Sequence, residues 1–299
     1  MQKLLDNIIK SNINKLNLGK KASYIPALSN VPDKLGIAVK TENGIFYSGD
    51  TDYKFTFQSM SKIISLIIAL QDNGFESVFE MVGMEPSGDS FNSISKLDFN
   101  NVIKPYNPFI NAGAILVASM ISGNSYSEKI GKAISFSKYI FGRENITFNE
   151  EVYSSERESA YRNRALAYLL KEKGLLKGNV EEILDFYFRL CSMEISCMDL
   201  ANLGYFLAFN NHKCNVNEIH LRAVKTLMLT CGMYDYSGEF AVRIGLPSKS
   251  GVSGGIVSCA PRKMGIGIFS PRLDEKGNSM LGIKMLDQLN KELNLNFLR

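Results

Sequence analysis

The chain has 299 residues, 45% of them apolar and 21% charged, enough for one large domain or two built around a sizeable buried core. A net charge of only +4 with no basic run argues against nucleic acid as a partner. No run approaches the ~20 apolar residues needed to cross a bilayer.

Five cysteines (Cys191, Cys197, Cys214, Cys231 and Cys259) show no metal-type pairing, and the two histidines, His212 and His220, share one polar stretch. Neither a zinc site nor any other metal or cofactor is expected, and histidine is poorly supplied as a catalytic base. An odd cysteine count without a signal peptide points to reduced thiols and a cytoplasmic location.

Taken in order, residues 1–10 place leucines and isoleucines at helical spacing with charges between, an amphipathic helix. Tyr24-Ile25-Pro26 is extended or turn-like, because proline disfavours helix at the residue before it. Leu35–Thr41 reads as a strand, Glu42-Asn43-Gly44 as a hairpin turn and Ile45–Ser48 as the returning strand. Residues 63–70 form a run without Gly, Pro or charge that predicts a buried helix. From there to about residue 230 the pattern is helical. Residues 110–121, 126–141, 158–173, 179–191, 197–209 and 218–230 read as helices, with Gly123 and Gly174 as stops. Near residue 236 short β-prone runs take over: Phe240–Ile244, Val252–Cys259 and Met264–Phe269. A last helix is expected from about Met280 to Leu293.

Strands at both ends and helices between predict an α+β fold. A mostly antiparallel sheet is built from both termini and flanked by the first and last helices, with an all-helical part inserted. Residues 1–60 and 236–299 would form the sheet part and 61–235 the helical part of a single catalytic domain.

The chemistry is concentrated where Gln58-Ser59-Met60-Ser61-Lys62 runs into the buried helix. Ser59 and Lys62 are three residues apart and project from one helical face. Burial that depresses the lysine pKa would let a neutral amine take the hydroxyl proton. The alternative is a helix cap beside a lysine that reaches solvent. Ser-x-x-Lys recurs at Ser93/Lys96 and Ser135/Lys138, but neither copy opens a continuous apolar helix. Lys249-Ser250-Gly251-Val252-Ser253-Gly254-Gly255 is the second notable stretch, and it reads as the opening of a late strand. Its three glycines leave the backbone uncovered, so a substrate could approach main-chain N–H groups. A glycine-rich turn is the structural alternative.

A Ser-x-x-Lys helix and a late Lys-Ser-Gly strand together resemble the serine β-lactamase and penicillin-binding protein superfamily, with its β-lactamase/transpeptidase-like fold. Within it the chain resembles the serine-dependent glutaminases of compact bacterial type, from Tyr24 to about Gly282. The resemblance rests on Tyr24-Ile25-Pro26, Gly49-Asp50, Gln58-Ser59-x-x-Lys62, Glu85-Pro86-Ser87-Gly88 with Phe91-Asn92, and Asn107-Pro108 with Asn111-Ala112-Gly113. It continues through Ser155-Glu156-Arg157 with Arg162-Asn163, Leu184-Asp185-Phe186-Tyr187, Cys231-Gly232-Met233-Tyr234-Asp235, Lys249-Ser250-Gly251-Val252, and Ser270-Pro271 with Gly277-Asn278-Ser279.

The resemblance implies hydrolysis of the L-glutamine side-chain amide to L-glutamate and ammonia. Ser59 would be the nucleophile, Lys62 its base, Tyr234 a proton relay, and the N–H groups of Ser59 and Val252 the oxyanion donors. Tyr24, Asn111, Glu156, Asn163 and Tyr187 would surround the amino-acid head group, with Glu156 near the ammonium. Lys249 and Ser250 are added without an assigned role. A homodimer or homotetramer is implied as well. Structural readings compete at two positions: Ser155 and Glu158 fit a capping box, and Asn111 could cap its own helix. Glu156 and Asn163, seven apart, would share a face if one helix continued through both. Two other functions are open to the same residues, a β-lactam-reactive enzyme or a non-catalytic amino-acid sensor.

Overall fold

The computed structural model describes residues 1–88, 93, 104–209 and 216–298. Phe91, Asn92, Lys96, His212 and Cys214 lie outside the described residues.

Five strands form one antiparallel sheet. They are β1 (Gly36–Thr41), β2 (Gly44–Gly49), β5 (Ser248–Ser250), β6 (Gly255–Ala260) and β7 (Met264–Phe269), in the order β2-β1-β7-β6-β5. Strands from the two ends of the chain meet where β1 pairs with β7, in a register that sets Ala38 opposite Gly267 and Val39 opposite Ile266. A two-stranded ribbon, β3 (Phe55–Thr56) with β4 (Glu194–Ile195), stands apart from that sheet. Both the sheet built from the two ends and the helical middle agree with the α+β expectation.

Strand alternation divides the side chains between two cores. Ile37, Val39, Ile256, Ile266 and Ile268 pack with Leu5 and Ile8 of α1 (Gln2–Asn12), and with Leu281, Met285 and Leu289 of the last helix, Met280–Leu293. The opposite face carries Ala38, Val257, Cys259 and Phe269, which join Leu200 and Ala201 of the helix Cys197–Phe209. That helix lies so close to the sheet that side chains are excluded at the contact. A Cβ on Gly204 would come 2.3 Å from the Ser258 carbonyl oxygen, and one on Gly265 1.9 Å from the Tyr205 nitrogen.

The helix α2, Ser61–Asn73, is buried at every position from Ser61 to Leu70 and ends at Gly74, whose N–H donates to the Leu70 carbonyl. Its surroundings are Phe57, Phe109, Phe186, Leu190 and the other apolar side chains of the helical core.

Three local readings differ from the structure. Phe240–Ile244 is not a strand but the end of a helix, Ser237–Arg243. Phe240 and Ile244 are both buried while Val242 is 82% exposed. An i, i+4 pair of buried residues satisfies helical spacing, whereas a strand would have placed Val242 on their face. Lys249–Gly255 does not open one strand: Ser248–Ser250 is a short strand of its own. The tight loop that follows, closed by the Gly251 N–H on the Gly255 carbonyl at 2.9 Å, leads to β6, which runs from Gly255 to Ala260 rather than from Val252 to Cys259. The helix predicted at 158–173 spans a break at Ala160 (ψ 37°) between the end of one helix, Glu150–Ser159, and a second, Tyr161–Glu172.

Gly204→Ala is expected to lower stability by about 1–3 kcal/mol through overpacking between helix and sheet. Urea unfolding monitored by circular dichroism measures it, and an unchanged midpoint would contradict the close contact.

Candidate active site

Ser59 sits in a short 3-10 turn, Gln58–Met60, that leads directly into α2. The turn is buried, with Ser59 only 7% exposed. The glycine-rich loop after β5 packs against it. A Cβ on Gly251 would lie 3.1 Å from the Phe57 carbonyl oxygen, and one on Gly255 2.4 Å from the Met60 methyl carbon. These absent side chains let the Val252 turn approach the Ser59 turn. Among the described residues the Val252 N–H has no backbone acceptor.

Tyr234 lies beside Ser59, whose hydroxyl opposes the rise of its pKa, and donates to the Ser250 carbonyl at 3.2 Å. Burial raises the Tyr234 pKa above its ordinary value. Tyr234 also packs with Val252 in a small apolar cluster that includes Ile25 and Leu273. Lys62 is 2% exposed. Its Nζ donates to the Phe109 carbonyl at 2.9 Å and to Asn111 Oδ1 at 2.8 Å. Burial lowers its pKa to about 8. A neutral amine has two N–H donors and one lone pair, so these two acceptors leave the lone pair unused.

Asn111 heads the helix Asn111–Ser119 without capping it; its amide instead links Lys62 to Asn163, donating to Asn163 Oδ1 at 2.9 Å. The helix Glu150–Ser159 is capped by Asn149, which accepts from the Val152 N–H, so the capping box at Ser155 and Glu158 is not used. Ser155 Oγ instead accepts from the Ala27 N–H at 3.3 Å, which ties this helix to the Tyr24 segment. Although the helix breaks at Ala160, Glu156 and Asn163 line one pocket together with Tyr24, Ile25, Asn111 and Arg162. Burial raises the Glu156 carboxyl to about 7, against the opposing effects of the Gln58 amide and the Lys62 charge.

Tyr187, on the helix Val180–Cys191, is 4% exposed. Tyr24 as a residue is 54% exposed, yet its hydroxyl is closely surrounded. For both phenols burial raises the pKa first, and the charge of Glu156 raises it further.

Lys249 is fully buried. Its Nζ donates to the Ser250 carbonyl at 2.8 Å and stands 4.5 Å from the centre of the Tyr234 ring. Burial, then the charge of Lys62, pushes its pKa down. Ser250 Oγ is buried with no partner. All eleven sequence-predicted positions therefore belong to one cluster of neighbouring residues. Outside it, Ser135 is exposed and Lys138 pairs with Glu144 at 3.4 Å. No group of three or more His, Cys, Asp or Glu among the described residues could hold a metal ion.

Two residues at this site carried no assigned role. Gln58, 2% exposed, has φ 48° and places its amide Nε2 3.4 Å from Glu156 Oε2 and 3.5 Å from the Cys191 carbonyl. Cys191 lies one turn after Tyr187 on the same helix, with its thiol beside Tyr187 and Ser61. The spacing of Tyr187 and Cys191 on a mostly buried helix was the one available signal for the cysteine. Nothing local in the sequence announces a left-handed glutamine.

The lowered Lys62 pKa has a thermodynamic consequence. Between about 8 and the ordinary 10.5 the unfolded chain holds this proton and the folded chain does not, so folding is favoured as pH rises through that window. Wild-type stability is therefore expected to gain on that of Lys62→Met from pH 8 to 10.5 and to run parallel to it below pH 7. Urea unfolding across that range tests this, and parallel curves throughout would contradict it.

The family model described as Glutaminase matches residues 19–298. A glutaminase of Clostridium botulinum (strain Kyoto / Type A2) is 52% identical, covering 99% of both chains. One from Clostridioides difficile (strain 630) is 50% identical over 98% of this chain and 97% of its own. Among solved structures, the Bacillus subtilis glutaminase YbgJ superposes with a TM-score of 0.89 at 38% identity, covering 99% of each chain. It is a covalent complex with 5-oxo-L-norleucine, formed by reaction with 6-diazo-5-oxo-L-norleucine. With sequence and β-lactamase-like fold in agreement over nearly its whole length, the chain belongs to the glutaminase family of enzymes.

Proposed function

We propose that the enzyme hydrolyses the side-chain amide of L-glutamine to L-glutamate and ammonia through an acyl-enzyme on Ser59. The observation that carries this reading is the juxtaposition of Ser59 and Tyr234 with a buried, pKa-lowered Lys62 whose two hydrogen-bond partners are both uncharged.

The neutral Lys62 amine takes the Ser59 proton as Oγ attacks the amide carbon. The carbonyl oxygen becomes an oxyanion held by the Ser59 and Val252 N–H groups. Collapse breaks the C–N bond. Tyr234, kept protonated by its raised pKa, delivers a proton to the leaving nitrogen and is reprotonated from Lys62. Water then repeats the attack on the ester, Lys62 accepts its proton, and glutamate leaves with Ser59 restored.

Glu156 receives the substrate α-ammonium, whose arrival favours the ionised carboxylate over the neutral form favoured by the empty buried pocket. Tyr24, Asn111, Asn163 and Tyr187 complete the head-group site, and their buried polar groups reject analogues that leave them unpaired. Support for a covalent route comes from the relative whose complex with 5-oxo-L-norleucine is covalent. The same reading takes the chain as one catalytic unit, with residues 1–60 and 236–299 carrying the sheet and 61–235 the helices, and its assembly as a homodimer or homotetramer.

The test is ammonia release from L-glutamine by wild type, Ser59→Ala and Tyr234→Phe, with L-asparagine in parallel. Wild type should release ammonia from glutamine, Ser59→Ala should fall to background, and Tyr234→Phe should lose about 10²–10⁴-fold in kcat. Because Glu156 must be ionised and Lys62 neutral, kcat/KM should climb through pH 7–8. No ammonia from folded wild type, or a fully active Ser59→Ala, would overturn the reading.

A further inference from the structure

The helix that carries Glu156, Glu150–Ser159, stops at the break at Ala160, so its continuation does not hold it in line. Neighbouring elements must orient it. At its start the Asn149 N–H donates to the Ser192 carbonyl at 2.9 Å, just past the end of the helix Val180–Cys191. Further along, Ser155 Oγ accepts from the Ala27 N–H at 3.3 Å. Two more ties converge on one carboxylate, Asp185. The Tyr153 hydroxyl donates to Asp185 Oδ1, and Arg157 Nε stands 3.6 Å from the same oxygen. Tyr153 lies three residues before Glu156 and Arg157 one after it, so Asp185 grips the helix on both sides of Glu156. One turn after Asp185, Arg189 lies 3.8 Å from the centre of the Tyr153 ring and pairs with Glu150 at 2.5 Å. Asp185 also stands two residues before Tyr187, and on a helix two such side chains leave the axis about 200° apart. Asp185 occupies the partly exposed rim of the helix pair and Tyr187 its buried interior.

We propose that Asp185 is a positioning residue that sets Glu156 against Tyr187 and so determines how strongly the site selects for an α-ammonium. The inference rests on the glutamine-hydrolysis reading and deepens it, by naming a residue outside the pocket that governs selectivity within it. Ser59, Lys62 and Tyr234 stand on other elements, the turn Gln58–Met60, the helix Ser61–Asn73 and the turn Tyr234–Tyr236. Loosening Asp185 therefore displaces the carboxylate that meets the ammonium and leaves the acyl-transfer groups in place. Of the two ties, the hydrogen bond from Tyr153 is the stronger, because its acceptor is charged and its donor is buried. The Arg157 pair is long and its arginine largely exposed, so it adds little.

The test compares wild type with Asp185→Ala, Asp185→Asn and Tyr153→Phe, each folded by circular dichroism. Ammonia release from L-glutamine is measured with L-glutamate or glutarate as inhibitor, glutarate being glutamate without its α-amino group. Asp185→Ala should raise KM for glutamine and the inhibition constant of L-glutamate by about tenfold, the size of one lost charge-assisted hydrogen bond. Its kcat should stay within about threefold of wild type. Glutarate makes no ammonium contact, so its inhibition should barely change and the preference for glutamate over glutarate should shrink by about tenfold. Tyr153→Phe should act in the same direction, and adding it to Asp185→Ala should cost little more, since both remove one bond. Asp185→Asn keeps an oxygen that can accept from Tyr153 and should be the mildest of the three.

If Asp185→Ala lowers kcat with KM unchanged, or weakens glutamate and glutarate equally, Asp185 only supports the fold and the inference fails. If Asp185→Ala does not fold, Tyr153→Phe decides in the same two directions. If glutarate does not inhibit wild type, the L-glutamate constant alone decides: a rise at preserved kcat upholds the inference and an unchanged value overturns it. Absence of ammonia release from glutamine by wild type would instead overturn the function proposed above, so the two failures are distinguishable.

Discussion

The structure of this site depends on how closely two remote backbones approach each other, the turn at Gln58–Met60 and the loop at Gly251–Gly254. Almost 200 residues of chain separate them, and no ion pair or disulfide joins them. The close fit requires missing side chains. A Cβ at Gly255 would stand 2.4 Å from the Met60 methyl carbon and one at Gly251 3.1 Å from the Phe57 carbonyl oxygen. The sheet makes the approach possible because β6 and β7 bring the late segment alongside the early hairpin through β1. The helix Glu218–Cys231 then holds β5 from the outer side, where the Ser250 N–H donates to the Gly232 carbonyl at 3.1 Å. Hydrophobic burial on both sheet faces supplies the driving force for this arrangement. The glycines let the two backbones approach closely.

Around that contact the protein buries charge that an ordinary core would exclude. Among the described residues, Lys62 and Lys249 have no carboxylate in hydrogen-bond contact and rest on carbonyl and amide oxygens or aromatic rings. Burial drives both lysines towards the neutral amine and Glu156 towards the neutral acid. A lysine near pKa 8 can act as a base close to neutral pH, which an exposed lysine cannot. A carboxyl near 7 is set to ionise when a cation arrives. In the proposed function, stability lost by burying these groups becomes reactivity at Lys62 and selectivity at Glu156.

Much of this was legible in the sequence because the strongest signals are periodic or steric. The Asn43-Gly44 turn fixed the first hairpin, the uncharged run after Lys62 fixed the buried helix, and the last helix follows from its apolar spacing. Residues 240–244 show the limit: five residues with four apolar side chains satisfy strand and helix spacing alike, and only tertiary packing chose the helix. The break at Ala160 was similarly invisible, because the helical pattern continues through it. Among site residues, Ser59 and Lys62 were readable from their setting. Glu156, Asn163 and Tyr24 emerged only through family resemblance, since their roles depend on a pocket assembled from separate elements. Gln58 could not be recognised in advance, because its backbone conformation and its amide partners are tertiary facts.

The most direct test of the central claim is the site of covalent attachment of 6-diazo-5-oxo-L-norleucine, found by mass spectrometry of peptides from the inactivated enzyme. The account predicts one adduct, on Ser59, formed more slowly when L-glutamine or L-glutamate occupies the pocket. An adduct on Lys62, Tyr234 or a cysteine with Ser59 unmodified would contradict it.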